Sequence, residues 1–338
     1  PASWTYISEN SEAGNRGKNM GISQFAWGVG PTIILLLGML LAPGKGDTSA
    51  GVLFEYVQKI ATFFIGNDAS IDAINVFSSR IIFGSLFLVA FTAWRLQMKL
   101  NESKDWEEAQ NKQTAKEQKS VFSSFGTLFT NKINIRTMLF LASIYITWNM
   151  VASVMGFFQP HIYETAGGLS NSEANMITAI QWLVIIAVTY FGFAKLIDKV
   201  NQRWFYIVGT SIGIAAWAIL IFIGIKSHVA LWAFTILWGI HAGVGVQAFY
   251  ALWASELFPA KYRAAASGIM FFAVRSIAAL WGLGFVGIYG EKGEGFKTAA
   301  YIMIGLMIVA LIIGAIWTPK TRGKSLQQIT KERYGDDI

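Results

Sequence analysis

The 338-residue sequence has no cysteine, which removes disulfide frameworks and thiolate metal sites from consideration. It is also poor in charge: only 14% of residues are Asp, Glu, Lys or Arg, against 54% hydrophobic, a balance that excludes a disordered chain and departs from that of soluble domains. Proline is scarce too, at 6 residues against 33 glycines. What is present is apolar and aromatic, with 13 Trp, 25 Phe and a positive mean hydropathy. Such a chain dissolves in lipid, where helices must satisfy the backbone polar groups. The composition therefore predicts an all-α polytopic membrane protein.

A bilayer core takes about 20 apolar residues per helix. On that length the sequence yields eight spans, near 19–42, 76–98, 136–160, 174–196, 204–225, 229–255, 264–289 and 297–318. The first residue is not Met, and residues 1–8 read as the lower end of an earlier helix, so we expect a chain lacking its N-terminal part. The net charge of +7 raises the question of a nucleic-acid partner. Location answers it. Segments 9–18, 95–136, 195–203, 257–263 and 319–338 hold 20 of the 27 Lys and Arg, while the alternating loops hold only Lys45, Lys59, Lys226, Lys292 and Lys297. The basic set is expected to be cytoplasmic, its surplus serving insertion and anionic headgroups rather than nucleic acid.

Two connections are long. Residues 99–135, opening with Asn101-Glu102-Ser103-Lys104-Asp105-Trp106, read as a soluble cytoplasmic linker. Four parts are expected: 1–98 with the end of one helix and two full spans, the linker 99–135, a six-helix bundle over 136–318, and a tail over 319–338. Residues 43–75, with the amphipathic run from Val52 to Val57, are expected on the outer surface.

One spacing occurs twice. Glu9 precedes Arg16 by seven residues just before a span, and Glu256 precedes Arg263 by seven, again before a span on the same side. Six helices separate the two occurrences, as a duplicated six-helix unit predicts. Acid and base at a membrane interface attract each other strongly because the site is partly desolvated. With Asp198 to Arg203 as a third charged turn, these residues are expected to form a cytoplasmic latch; the alternative is that the bases only anchor helix ends to headgroups.

Taken in order, these segments resemble the sugar-porter branch of the major facilitator superfamily. Tyr6-Ile7-Ser8-Glu9 with Arg16-Gly17-Lys18 and Gln24 is similar to the family's segment between the fourth and fifth helices. Ser255-Glu256-Leu257-Phe258-Pro259 with Arg263 is similar to that between the tenth and eleventh. Asn101 to Trp106, Asp198 to Arg203, and Thr318 to Leu326 resemble its motifs after the sixth, eighth and twelfth. The resemblance implies a twelve-helix fold in two six-helix halves, with substrate held between them and moved by alternating access. It also implies that the first helix, where many proton-coupled members carry an acidic residue, lies before this chain. Two departures stand out. The family's Gln-Gln pair of the seventh helix falls near Thr147-Trp148, with Asn149 the nearest amide, and the Gly-Pro of the tenth falls at Gln247-Ala248. Both argue against a plain hexose.

Helix rise gives depth. Gln24 lies eight residues beyond Arg16 and Arg275 twelve beyond Arg263, about 12 and 18 Å into a core about 30 Å thick. Both are expected near the midplane, where transporters of this architecture hold substrate. The resemblance adds that Gln24 matches the family's fifth-helix sugar ligand. Arg275, in Phe271-Phe272-Ala273-Val274-Arg275-Ser276, cannot reach either headgroup layer cheaply and is expected to face a wet cavity or a partner, as a ligand for an anion or as a structural bridge. Arg80, near the outer end of its span, is expected to snorkel. Gln247 and Tyr250 are expected on one helical stripe with Gly239 and Gly243. Asn149 with Ser153, and Gln181, offer further amides for ligand or interhelical bonds, and Trp253 a ring for stacking on a sugar. His241 is a candidate proton carrier, or a satisfied interhelical donor.

The expected function is secondary active transport of a sugar, polyol or related metabolite, with a proton as co-substrate. The substrate-binding candidates are Gln24, Asn149, Gln181, Gln247, Tyr250, Trp253 and Arg275. The alternatives are a transporter of an organic or sugar acid, paired by Arg275, and a nutrient sensor, which the short tail disfavours. No cofactor or metal is expected. An enzyme is disfavoured because no nucleophile-base pair or phosphate loop stands in a soluble segment. The expected location is the plasma or inner membrane, with linker and tail cytoplasmic.

Overall fold

The computed structural model describes residues 2–41, 53–66, 70–99, 126 and 128–335, all of them helical or in the turns between helices. The helices are α1 (Ala2–Glu9), α2 (Arg16–Leu41), α3 (Phe54–Ile65), α4 (Ile71–Gln97), α5 (Lys132–Thr165), α6 (Asn171–Val188), α7 (Gln202–Ile219), α8 (His228–Val244), α9 (Val246–Glu256), α10 (Ala260–Tyr289), α11 (Phe296–Trp317) and α12 (Leu326–Tyr334). Helices α6 and α7 each end in a π-helical turn, Thr189–Ala194 and Leu220–Gly224. Most of the stretch read as a linker, Asn101 to Trp106 included, lies outside the described residues.

Starts are written locally. Ser70, Asn131, Asn201 and Ser227 each cap a helix by accepting a backbone N–H, and Ser170 with Glu173 and Ser325 with Gln328 complete capping boxes. Among the described residues, six stretches are long and apolar enough to cross a membrane: 132–165, 172–194, 202–224, 228–256, 260–289 and 296–317. The other two expected spans fall on α2 and α4, helices of 26 and 27 residues. Side chains such as Phe157, Phe191, Phe222, Phe272 and Leu283 stand exposed on these helices, as lipid-facing groups do.

The chain divides into two compact units. One comprises Pro1–Gly28 and Ser103–Ile338, and the other Val29–Glu102. In the larger unit α5 packs on α6, α9, α10 and α11, while α8 packs on α6 and α7, and α1 lies against α9 and α10. In the smaller unit α3 packs on α4, with the rings of Phe64 and Phe77 stacked at 5.8 Å. Helix α3 is amphipathic, burying Val57 and Ala61 and exposing Phe63 and an i,i+4 Lys59–Glu55 pair. Arg80 is exposed on α4.

One expected span contains a break. The run 229–255 is not a continuous helix but is broken at Gly245, whose extended ψ of −162° separates α8 from α9. A Cβ at Gly245 would lie 2.2 Å from the His241 carbonyl oxygen, so only glycine allows this turn. The break also divides the expected stripe: Gly239 and Gly243 abut Val184 and Val188 on α6, whereas Gln247 and Tyr250 belong to α9 and face other partners.

Candidate functional site

The charged ends come together first. Arg16 opens α2 and Glu256 closes α9, and their side chains meet at 3.1 Å; Arg263, in the first turn of α10, meets Glu9 at the end of α1 at 2.5 Å. Each acid of the repeated spacing thus pairs with the base of the other copy. All four side chains are at most 5% exposed. Ser8 adds a bond from its hydroxyl to the Ser255 carbonyl, and Arg16 also donates to the Lys324 carbonyl.

Asp198 caps the start of α2, its carboxylate accepting the N–H groups of Gly17 and Lys18. Burial raises its pKa above the usual carboxylate range, opposed by those two N–H groups and by Arg16 and Lys18. Arg203 does not join the network: it stays exposed, and only its backbone N–H is held, by Asn201. The short side chain of Asn201 fixes the start of α7 with Arg203 facing outward, whereas Arg322, from the segment after α11, donates to the Lys199 carbonyl in its place. Sequence reasoning missed these two contacts of the segment because they run through the backbone oxygens of Lys324 and Lys199.

Deeper in the larger unit a second group assembles. Gln247 donates to Gln24 at 3.0 Å, both amides buried, which leaves the Gln24 Nε2 and the Tyr250 hydroxyl without hydrogen-bond partners. Unpaired buried polar groups are costly, which sets these two apart from their satisfied neighbours. The Tyr250 ring stacks on Tyr145 with centroids 4.0 Å apart and planes 9° apart, and Trp4 meets Tyr250 and Phe271 edge-on. Arg275 lies 4.8 Å over the Phe271 ring and donates to Asn149 at 3.5 Å. Among the described residues it has no ion pair, and it remains exposed. Tyr145 and Trp4 were not anticipated. Tyr145 stands one helical turn before Asn149 on α5, and that i, i+4 relation was the available signal.

Three candidates stand apart. Gln181 and Gln159 exchange two amide bonds of 2.9 Å each, so both head groups are occupied within a separate cluster that includes Tyr163. Trp253 is wholly buried among Phe140, Tyr206 and Phe249 with its indole N–H on Gln202, which leaves no ring face for a sugar and places it beside the latch. His241 accepts from the Trp148 indole at Nε2 and lies 2.8 Å from the Gly209 carbonyl at Nδ1. Those partners fix the neutral tautomer with the proton on Nδ1, making His241 a brace between α5, α7 and α8.

The profile of the family described as Major Facilitator Superfamily matches residues 1–283 and 168–335. The chain belongs to that superfamily. The two overlapping matches are what two related halves produce. Within the superfamily the chain falls in the sugar-porter branch, an integral, multi-pass membrane transporter and not an enzyme. It is 32% identical to the minor myo-inositol transporter IolF of Bacillus subtilis over 99% of this chain and 69% of that protein. Its identity to a probable quinate permease of Aspergillus flavus is 23%, covering 65% of this chain and 43% of that one. By fold it resembles the proton:xylose symporter XylE bound to 6-bromo-6-deoxy-D-glucose, with a TM-score of 0.67 at 18% identity over 98% of this chain and 70% of that one. It also resembles an inward-facing bacterial homolog of the lysosomal transporter Spinster, at 0.51 and 17%, over 98% and 75%.

Proposed function

We propose that the protein transports a polyol or sugar-like metabolite in symport with protons, by alternating access, with its basic face cytoplasmic. The observation that carries this is the Gln24–Gln247 pair. Two neutral amides joined by a single bond, with a spare amide donor and a spare tyrosine hydroxyl beside them and aromatic walls from Tyr145, Tyr250 and Trp4, suit a ring bearing many hydroxyls. The likeness to a myo-inositol transporter supports a cyclic polyol, and the likeness to a proton:xylose symporter supports the coupling ion. In this mechanism the crossed Arg16–Glu256 and Glu9–Arg263 pairs hold the basic face shut, and their release opens it. His241 takes the part of a brace, not of a proton carrier.

Uptake of labelled myo-inositol into proteoliposomes containing the intact protein tests the reading. Gln247→Leu should raise KM by about three- to tenfold, the worth of one net hydrogen bond. An unchanged KM, or uptake indifferent to an imposed proton gradient, refutes it. One observation favours a second reading: Arg275 has no acidic partner among the described residues, so a carboxylated ring could pair with it. Quinate competing with inositol in the wild type, but not in Arg275→Gln, would select that acid-carrying alternative.

A further inference from the structure

A cavity of about 740 Å³ opens on the basic face of the larger unit, away from the polar group around Gln24. Its size lies within the range of ligand pockets, about 300–1,000 Å³. At its mouth are two arginines from different elements: Arg136, exposed in the second turn of α5, and Arg333, near the end of the tail helix α12. Arg333 is held in place by a bond from Nη2 to the Thr137 hydroxyl, and its Nε is buried without a hydrogen-bond partner. Among the described residues, no acidic one lines the cavity. The mouth therefore carries two positive charges.

Inward, the chemistry changes. Ser143 lies seven residues beyond Arg136 on α5, about 10 Å deeper along the helix axis. Between them Leu139 is 63% exposed, and Trp317, the last residue of α11, is 59% exposed. The cavity thus runs from a cationic mouth to an apolar trough that faces where acyl chains lie, and its indole stands at the interfacial level. A free phosphate would leave that trough empty, and a neutral lipid would leave the guanidinium groups unpaired. Basic pockets between spanning helices on a basic face are suited to anionic headgroups.

We propose that this cavity is a binding site for one anionic phospholipid, its phosphate between Arg136 and Arg333 and one acyl chain along Leu139, Ser143 and Trp317. The tail helix then docks partly through the lipid, since Arg333 belongs to it and Tyr334 beside it bonds to Asn134 and to the Leu257 carbonyl. Native mass spectrometry of the intact protein, with phosphatidylglycerol or phosphatidylcholine added to the detergent, tests the site. Phosphatidylglycerol adducts should be retained over phosphatidylcholine and should fall about tenfold in Arg136→Gln, a change at an exposed position that leaves folding intact. Ser143→Phe, which fills the trough and keeps both arginines, should weaken the same adduct. Equal retention of the two lipids, displacement of phosphatidylglycerol by inorganic phosphate at equal concentration, or unchanged binding in both variants would overturn the proposal.

Discussion

Removing one member of the crossed pairs should open the basic face. At 3.1 Å and an effective dielectric of about 20, the Arg16–Glu256 attraction is about 5 kcal/mol before desolvation is counted. Most of that offsets the cost of burying two ions, so the pair as a whole contributes little. Glu256→Gln is different. It leaves the buried Arg16 guanidinium with only Asp198 nearby and the Lys324 carbonyl to offset its charge, a loss of up to about 3–5 kcal/mol, which in the closed form alone displaces the equilibrium by at most roughly two to three and a half powers of ten. The 338 residues contain no cysteine, so a thiol at Ser267, buried one turn inside Arg263, reports access from the basic face. Thiol labelling of Ser267→Cys should be slow in the parent and at least about tenfold faster with Glu256→Gln. Adding Arg16→Gln should recover part of the protection, because no buried charge is then stranded. The exchanged pair Glu9→Arg/Arg263→Glu should label more slowly than Glu9→Arg alone. A folded, monodisperse Glu256→Gln protein that labels at the parent rate would refute the latch.

Other expectations follow from single contacts. Gln159→Leu strands the Gln181 amide and should cost about 1–3 kcal/mol in thermal stability, while the double variant Gln159→Leu/Gln181→Leu should lie closer to the parent than either single change. Gly245→Ala should destabilise by about 1–3 kcal/mol, since its Cβ must displace the His241 carbonyl, and circular dichroism melting measures the loss. Burial pushes the Tyr334 phenol up to about 12, partly opposed by Arg333, and its proton makes the bonds to Asn134 and Leu257. A pKa raised above the usual 10 contributes stability that is complete below pH 10 and lost as pH rises through about 12. The phenolate absorbance titration should therefore lose a step near pH 12 in Tyr334→Phe.

Length and composition alone expose the spans, because a lipid core admits few other structures, and the basic loops identify one face. Pairing was far less legible. The repeated Glu and Arg spacing marks four partners, yet that each acid meets the other copy's base depends on contacts between residues 240 and 254 apart. Gly245 resembled the many small residues of membrane helices until the approach of the His241 carbonyl set it apart. Gln181 was visible as an amide, but its partner Gln159 was overlooked beside Pro160, and without it Gln181 passes for a ligand. Trp253 illustrates the same limit: a ring three residues from Glu256 can face a cavity or a neighbour, and only the neighbours decide.

The two polar contacts between α2 and α9 have a matching register. Gln24 is eight residues past Arg16, and Gln247 is nine before Glu256, so the antiparallel helices are joined by one charged and one neutral rung about 12–13 Å apart. Buried Met20 lies between the rungs on α2. The helices cannot part at the charged end while the amide rung holds without bending over barely two turns. A polyol that takes the Gln247 donor and the Gln24 acceptor for its own hydroxyls replaces the neutral rung by bonds to itself, which lowers the cost of separation at the latch. Saturating myo-inositol should therefore speed Ser267→Cys labelling in the parent by a few fold, the value of one net hydrogen bond. In Gln24→Leu/Gln247→Leu the rung is already gone, and labelling should be fast without ligand and insensitive to it. Equal acceleration by ligand in both proteins would show that the amide pair does not couple occupancy to the latch.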